Sequence, residues 1–293
     1  MSLPRMLWHL ACERLARQTV ARVPEPDLVM TDPVQVDASR EAGQTDGILT
    51  AINLFHAIQT LPLFKAGDVV LDLACGPATL LTQLARLHPQ VRFIGVDASD
   101  AMLTLAERTL SQYGVRNVDL HQGDITRLEG LPAASVDGLT CNLSLHHLPD
   151  LAALHTAFTC IARVLKPEGS VYISDFCRFK RAATQEYFAT DRAGEQSAAF
   201  TDDFRNSLRA AFSEAELLGA AAPLRPRARI YRNMLSPLML VLRGPVRAEP
   251  NAAEVPARVA ALYEALSTER REDFRDFLRF FQMGGFPLAC KPW

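Results

Sequence analysis

The 293-residue sequence has little lysine: four lysines stand against 27 arginines. The skew carries no chemistry of its own, because 31 basic side chains face 33 acidic ones and the net charge is −2. No surplus of positive charge is on hand for a nucleic-acid backbone. Long apolar runs are missing too. The longest near the C-terminal end, Pro237 to Leu242, falls far short of the ~20 residues that cross a bilayer. Near the N-terminus Leu7, Trp8, Leu10 and Ala11 precede Cys12, but Arg5 and His9 interrupt them and Glu13 and Arg14 follow. That is the pattern of an amphipathic helix and not of a secretion signal. The expectation is a cytoplasmic protein with no membrane or nucleic-acid partner. The six cysteines (Cys12, Cys75, Cys141, Cys160, Cys177 and Cys290) include no C-x-x-C pair and none beside a histidine at ligand spacing. They read as buried free thiols in a reducing compartment, and no metal site is expected.

With 48% hydrophobic and 22% charged residues, the chain has the mix of an ordinary soluble protein, long enough to bury a core without staples. Residues 1–22 read as a helix. Residues 23–45, broken by Pro24, Pro26 and Pro33, read as irregular. Asp46 is expected to cap a helix carrying Ile48, Ile52, Phe55 and Ile58. From Val69 short apolar runs alternate with helical segments. Strands are expected at 69–73, 91–96, 118–122, 139–143 and 170–175, with helices at 79–87, from Ser99 to about Tyr113, and at 151–165. Continuous apolar strands at this interval predict a parallel sheet with right-handed crossovers and helices on both faces. Ligands then bind at the carboxyl ends of the strands. Further on, a helix is expected from Thr201 and a second from the Ser213–Glu216 capping box. Residues 229–241 suit one long strand or a hairpin turning near Ser236-Pro237, residues 245–250 a linker, and two helices close the chain.

The strand ends carry the chemistry. The first runs into Asp72-Leu-Ala-Cys-Gly76-Pro-Ala78, a tight turn where backbone N–H groups and a helix N-terminus can approach a ligand. It is no G-x-G-x-x-G loop, since Ala fills both outer small positions, and no phosphate loop, since no Lys follows. Asp97 ends the second strand, where a carboxylate can accept from both hydroxyls of a ribose. Gly123-Asp124-Ile125 follows the third, with an acceptor for an exocyclic amine and an apolar face for a ring. Asn142-Leu-Ser-Leu-His-His147 follows the fourth. Asp72, Asp97 and Asp124 also suit helix caps or turn residues.

Together these segments resemble the class I S-adenosyl-L-methionine (SAM)-dependent methyltransferase superfamily, closely over residues 46–180 and loosely over 200–242. Val69 to Gly76 is similar to its first motif, Gly95-Val-Asp97-Ala-Ser to its ribose motif, and Leu145-His-His-Leu-Pro-Asp150 and Leu165-Lys-Pro-Glu-Gly169 to later ones. The resemblance implies an α/β, Rossmann-like, doubly wound and mainly parallel seven-stranded sheet. It implies that SAM meets Asp72 with its amino group and passes Ala74, Gly76, Pro77 and Ala78 with its methionine part. Asp97 would take the ribose, with Ala98 and Met102 against the adenine. Gly123, Asp124 and Ile125 would hold the adenine edge and face, and Asn142 and Leu143 would line the methionine end. The superfamily usually has Gly where Ala78 stands. The domain layout follows: residues 46–244 hold SAM, with an insertion at 178–200, while 1–45 and 245–293 are helical additions suited to a lid or a dimer contact.

The sulfonium of SAM presents an activated methyl, so positioning an acceptor in line supplies much of the catalysis, about 7–11 kcal/mol in favourable cases. A base is needed only for an acceptor that is protonated at neutral pH. His147 and His146 are the nearest candidates, and Tyr187 and Tyr231 are candidates for the acceptor pocket; Tyr172 suits plain core. Three readings stay open. One is methylation of a small molecule on O, N, S or C. Another is attack on the aminocarboxypropyl arm of SAM itself, by an acceptor or by its own amine closing an azetidine ring. The last is a non-catalytic SAM-binding protein. Monomer and homodimer are both compatible.

Overall fold

The computed structural model describes residues 3–44, 46–233, 238–248, 254–287 and 289–292. Three helices, α1 (Leu3–Leu15), α2 (Pro33–Gly43) and α3 (Thr50–Gln59), precede the sheet. Then β1 (Val69–Leu73), α4 (Thr79–Leu87), β2 (Arg92–Asp97), α5 (Asp100–Gln112), β3 (Val118–Gln122), β4 (Val136–Asn142), α6 (Leu151–Val164) and β5 (Leu165–Phe176) alternate. The rest comprises α7 (Ala182–Thr190), α8 (Ala198–Ala210), α9 (Glu214–Ala220), β6 (Arg229–Arg232), β7 (Met239–Arg243), α10 (Val255–Glu264) and α11 (Thr268–Met283).

The seven strands lie in the order β3-β2-β1-β4-β5-β7-β6. All pairs from β3 to β5 are parallel, and β7 runs antiparallel to both its neighbours. The expected mainly parallel, doubly wound sheet is therefore present. Alternation along β1 sorts its side chains onto two cores. Val70 packs with α3, α4, α10 and α11 on one face, and Leu71 and Leu73 pack with α6 and α9 on the other. Because β2 and β4 flank β1 and their crossovers leave toward opposite faces, the chain reverses its winding at β1. A crevice opens there at the carboxyl ends.

Several expected boundaries move. Asp46 does not cap α3: it adopts φ 67°, and the helix starts at Thr50 with no side-chain cap at Leu49. Local hydrogen bonds of Thr50 Oγ1 to the carbonyls of Gln44 and Gly47 shape that entry. Residues 23–45 contain α2, because Asp32 caps it and Pro33 sits at its first turn, where a proline costs no hydrogen bond. The first helix stops at Leu15, and residues 16–32 run on as an irregular strap. The α8 helix begins before Thr201, capped by Ser197. Arg229–Arg232 and Met239–Arg243 form two antiparallel strands, and the turn expected near Ser236-Pro237 lies outside the described residues. The start of the expected linker is tied to the core: Arg247 N donates to the Pro62 carbonyl at 2.8 Å and its guanidinium pairs with Asp68 at 2.6 Å. Among the described residues, no helix is long and apolar enough to cross a membrane.

Candidate active site

The turn after β1 is held in an unusual backbone state. Ala74, Gly76 and Ala78 have φ of 50°, 53° and 57°, the left-handed region that a Cβ disfavours. This alternation reverses the chain within five residues and aims the free first-turn N–H groups of α4 at the crevice. A Cβ built on Gly76 would meet nothing within 4 Å, so the space beside the turn is open to a ligand.

Asp97 locks that turn from the neighbouring strand. Its Oδ2 accepts from Gly76 N at 2.8 Å and its Oδ1 from Ser99 N at 2.9 Å. Burial pushes its pKa up, and the backbone hydrogen bonds oppose the push. Asp72 is buried beneath, accepting from Thr140 Oγ1 at 2.5 Å, and burial carries its pKa up to about 7. Ala98 is exposed and Met102 buried, with Met102 N on the Ser99 hydroxyl at 3.2 Å. Gly123 N donates to the Asp97 carbonyl at 2.9 Å, which brings the tip of β3 alongside. Asp124 is exposed, and its Oδ1 accepts from both N and Oγ1 of Thr126 at 2.7 Å, so this oxygen serves the turn. Ile125 is half-buried. Asn142 accepts from Ser174 Oγ at 2.7 Å, and Leu143 follows it with φ 51°. Asp72, the 74–78 turn and Asp97 thus lie together at the carboxyl ends of β1 and β2. The open turn and buried carboxylates fit an adenosyl group with an amino-acid tail.

Past Leu143 a short 3-10 turn, Leu145–His147, carries the two histidines. Asp175, near the end of β5, grips His146 twice: Oδ2 accepts its backbone N–H at 2.9 Å, and Oδ1 lies 2.7 Å from Nδ1. Burial would lower the His146 pKa, but Asp175, helped by Glu25 and Asp203, opposes it and the net shift is upward. His147 is driven down to about 3 by burial and by the charge of His146. Glu25, from the strap, accepts from Ser207 Oγ of α8 at 2.9 Å, and burial lifts its pKa to about 7. Asp203, one turn earlier on α8, is likewise raised by burial.

Of these groups His146, His147, Asp203 and Ser207 line a cavity of about 300 Å³, the lower end of the range for small-molecule sites. Leu143, His146 and His147, which follow β4, line it. Its walls are mostly apolar: Met6 and Leu10 of α1, Ile48 and Ile52, Phe188, Phe200 and Phe204, and Phe277, Phe280 and Phe281 of α11. Met30 of the strap also lines it, while its carbonyl accepts from Ser99 Oγ at 2.6 Å. The strap thereby bridges the cavity and the turn after β2.

Tyr187 and Tyr231, expected in the acceptor pocket, lie outside this lining. Tyr187 stacks on His9 at 4.3 Å, and Tyr231 packs edge-on against Phe286 at 4.8 Å. Each ring finds an aromatic partner away from the cavity, and the neighbouring Phe188, Asp191 and Arg192 face the space instead. Tyr172 is core, its hydroxyl 2.7 Å from His56 Nδ1. Sequence reasoning missed Glu25, Asp175, Asp203 and Ser207. Asp175 had a signal, since it ends a strand beside the one that leads to the histidines. The others had none.

Set beside known proteins, residues 64–217 match a family profile described as a methyltransferase domain. The chain belongs to this family, within the class I SAM-dependent methyltransferases, and SAM is its cofactor. A ubiquinone biosynthesis O-methyltransferase of Acinetobacter baumannii is 31% identical over 113 residues, which cover 39% of this chain and 46% of the relative. A demethylmenaquinone methyltransferase of Lactobacillus johnsonii is 36% identical over 111 residues, covering 37% of this chain and 44% of that protein. The chain therefore spans less than half the length of these curated relatives. A SAM-dependent methyltransferase from Aquifex aeolicus shares the fold, with a TM-score of 0.50, 18% identity, 74% of this chain and 100% of that chain covered.

Proposed function

We propose that the protein transfers the methyl of SAM to a hydroxyl oxygen of a small, largely apolar acceptor held in the 300 Å³ cavity. One observation carries this reading: the mostly apolar cavity is lined by Leu143, His146 and His147, which directly follow β4 at the carboxyl end of the sheet, so an acceptor inside it has polar groups beside it on that side. SAM supplies a sulfonium-bound methyl ready for displacement. The chain supplies the rest. Asp97 orients the ribose, the 74–78 turn fixes the methionine part, and the phenylalanines of α8 and α11 exclude water. His146, held by Asp175, and His147 meet the acceptor's reacting group. The curated relatives whose names refer to O-methylation and to quinones support an oxygen acceptor on an apolar ring.

The test is incubation with SAM, with and without a panel of phenols and hydroxyquinones. S-adenosylhomocysteine formed only when an acceptor is present is the expected result. Methylthioadenosine from SAM alone would overturn the proposal in favour of attack on the aminocarboxypropyl arm. SAM binding without either product would leave a non-catalytic binding protein.

A further inference from the structure

Glu25, His146 and His147 offer ligand atoms that all lie within 4.8 Å of one another, the one such grouping of His, Cys, Asp or Glu among the described residues. The two imidazoles are neighbours on the 3-10 turn with ring centroids 4.5 Å apart, and the carboxylate reaches them from the strap. Two of the three ligands have outer support. Asp175 sits 2.7 Å from His146 Nδ1, which leaves Nε2 for another partner, and Ser207 donates to Glu25 Oε1, which leaves Oε2. A carboxylate that fixes the far nitrogen of an imidazole is the usual outer support of a metal-ligating histidine. Charge points the same way. Asp175 is paired with His146, but among the described residues no lysine or arginine forms an ion pair with Glu25 or Asp203. The nearby guanidinium of Arg22 is spent on the carbonyls of His146, Leu148, Pro149 and Ala210. Buried carboxylates without a cation are normally offset by a partner or a metal.

We propose that Glu25, His146 and His147 bind one divalent transition-metal ion at the cofactor end of the cavity. Two imidazole nitrogens and one carboxylate form the ligand set of open zinc sites, where a further position stays free for water or substrate. Both histidines line the cavity, so the free position faces the acceptor. A cation there polarises the acceptor O–H and lowers the cost of ionising it. That role rests on the methyl-transfer reading above; the binding itself does not. The same ion ties the strap to the turn after β4. No sequence spacing shows the site, because the carboxylate and the histidines lie on segments far apart in the chain.

The experiment uses the full chain, stripped with chelator and gel-filtered, then titrated with Zn²⁺ by calorimetry and with Co²⁺ by visible absorption. One saturable equivalent and a cobalt d–d spectrum are expected. Glu25→Gln, which keeps the bulk and an acceptor for Ser207, and His147→Ala should each weaken binding by about tenfold or more. SAM affinity of the same samples reports that they are folded. Absence of saturable binding to the wild-type chain, or equal affinity for wild type and Glu25→Gln, would overturn the site. Metal binding without S-adenosylhomocysteine production retains the site and removes the proposed reaction. Production that is unaffected by chelator, in a chain that binds no metal, does the reverse.

Discussion

Ala74 and Ala78 hold a left-handed backbone without being glycine, at a cost of roughly 1–2 kcal/mol each. Ala74 is half-buried and has little packing to lose, so Ala74→Gly should raise unfolding free energy by about 1 kcal/mol in chemical denaturation. Asp97 locks Gly76 N, and in the proposed cofactor site it also accepts from the ribose. Asp97→Ala is expected to weaken SAM binding by about 1 kcal/mol or more, and unchanged affinity by calorimetry would remove it from the ribose site. His56 gives a pH signature. It takes a proton near 6.5 in the unfolded chain but only near 3 when folded, because burial disfavours its charge. Between those values the unfolded chain binds more protons, so this group lowers stability as pH falls, by about 1.4 kcal/mol per pH unit. Asp72, raised by burial from 3.8 to about 7, acts in the opposite direction over its own window. Comparison of wild type with His56→Gln isolates the histidine: the variant should lose less stability between pH 6 and 4, and parallel pH profiles would contradict the assignment.

At the scale of elements, β1 through β5 and the turns at their carboxyl ends were legible because they are short apolar runs broken by Gly, Pro and Asp, and burial on both faces leaves little ambiguity. The strap 16–32 was not. It has no periodicity, and what fixes it is tertiary. Arg22 Nε donates to Ala210 O at 2.6 Å and its Nη atoms to the carbonyls of Pro149, His146 and Leu148 at 2.6, 2.9 and 2.5 Å, with the guanidinium 4.0 Å from the centroid of the Phe212 ring. Only the folded arrangement brings those carbonyls together, so an arginine in a proline-rich segment gives no warning of its role. Arg22→Ala leaves several of them without a donor and should cost about 2–3 kcal/mol of stability. Proteolysis of the 16–32 segment should also become faster than in the wild-type chain. Equal protection would show that the strap is held by other contacts.

For the whole molecule, the sheet provides the crevice at its carboxyl ends, and helices outside the alternating strands provide much of the cavity wall, so the proposed reaction divides cofactor and acceptor between them. The first half was readable from motifs that sit next to one another in sequence. The second was not, since α1, α2, α8 and α11 converge only in the fold, and the aromatic side chains that face the cavity are not the tyrosines a polar pocket would favour. Closure by α11 is reinforced where Arg192, on the cavity wall, pairs with Asp273 at 2.9 Å, and Arg270 of α11 pairs with Glu195 at 3.2 Å. The most direct measurement is a crystal structure of the protein with S-adenosylhomocysteine. The ribose hydroxyls should lie on Asp97, the amino-acid tail over the 74–78 turn, and the sulfur toward the cavity at Leu143 and His147. A nucleoside bound elsewhere, or a sulfur turned away from that cavity, would contradict the division of the molecule into a cofactor crevice and an acceptor chamber.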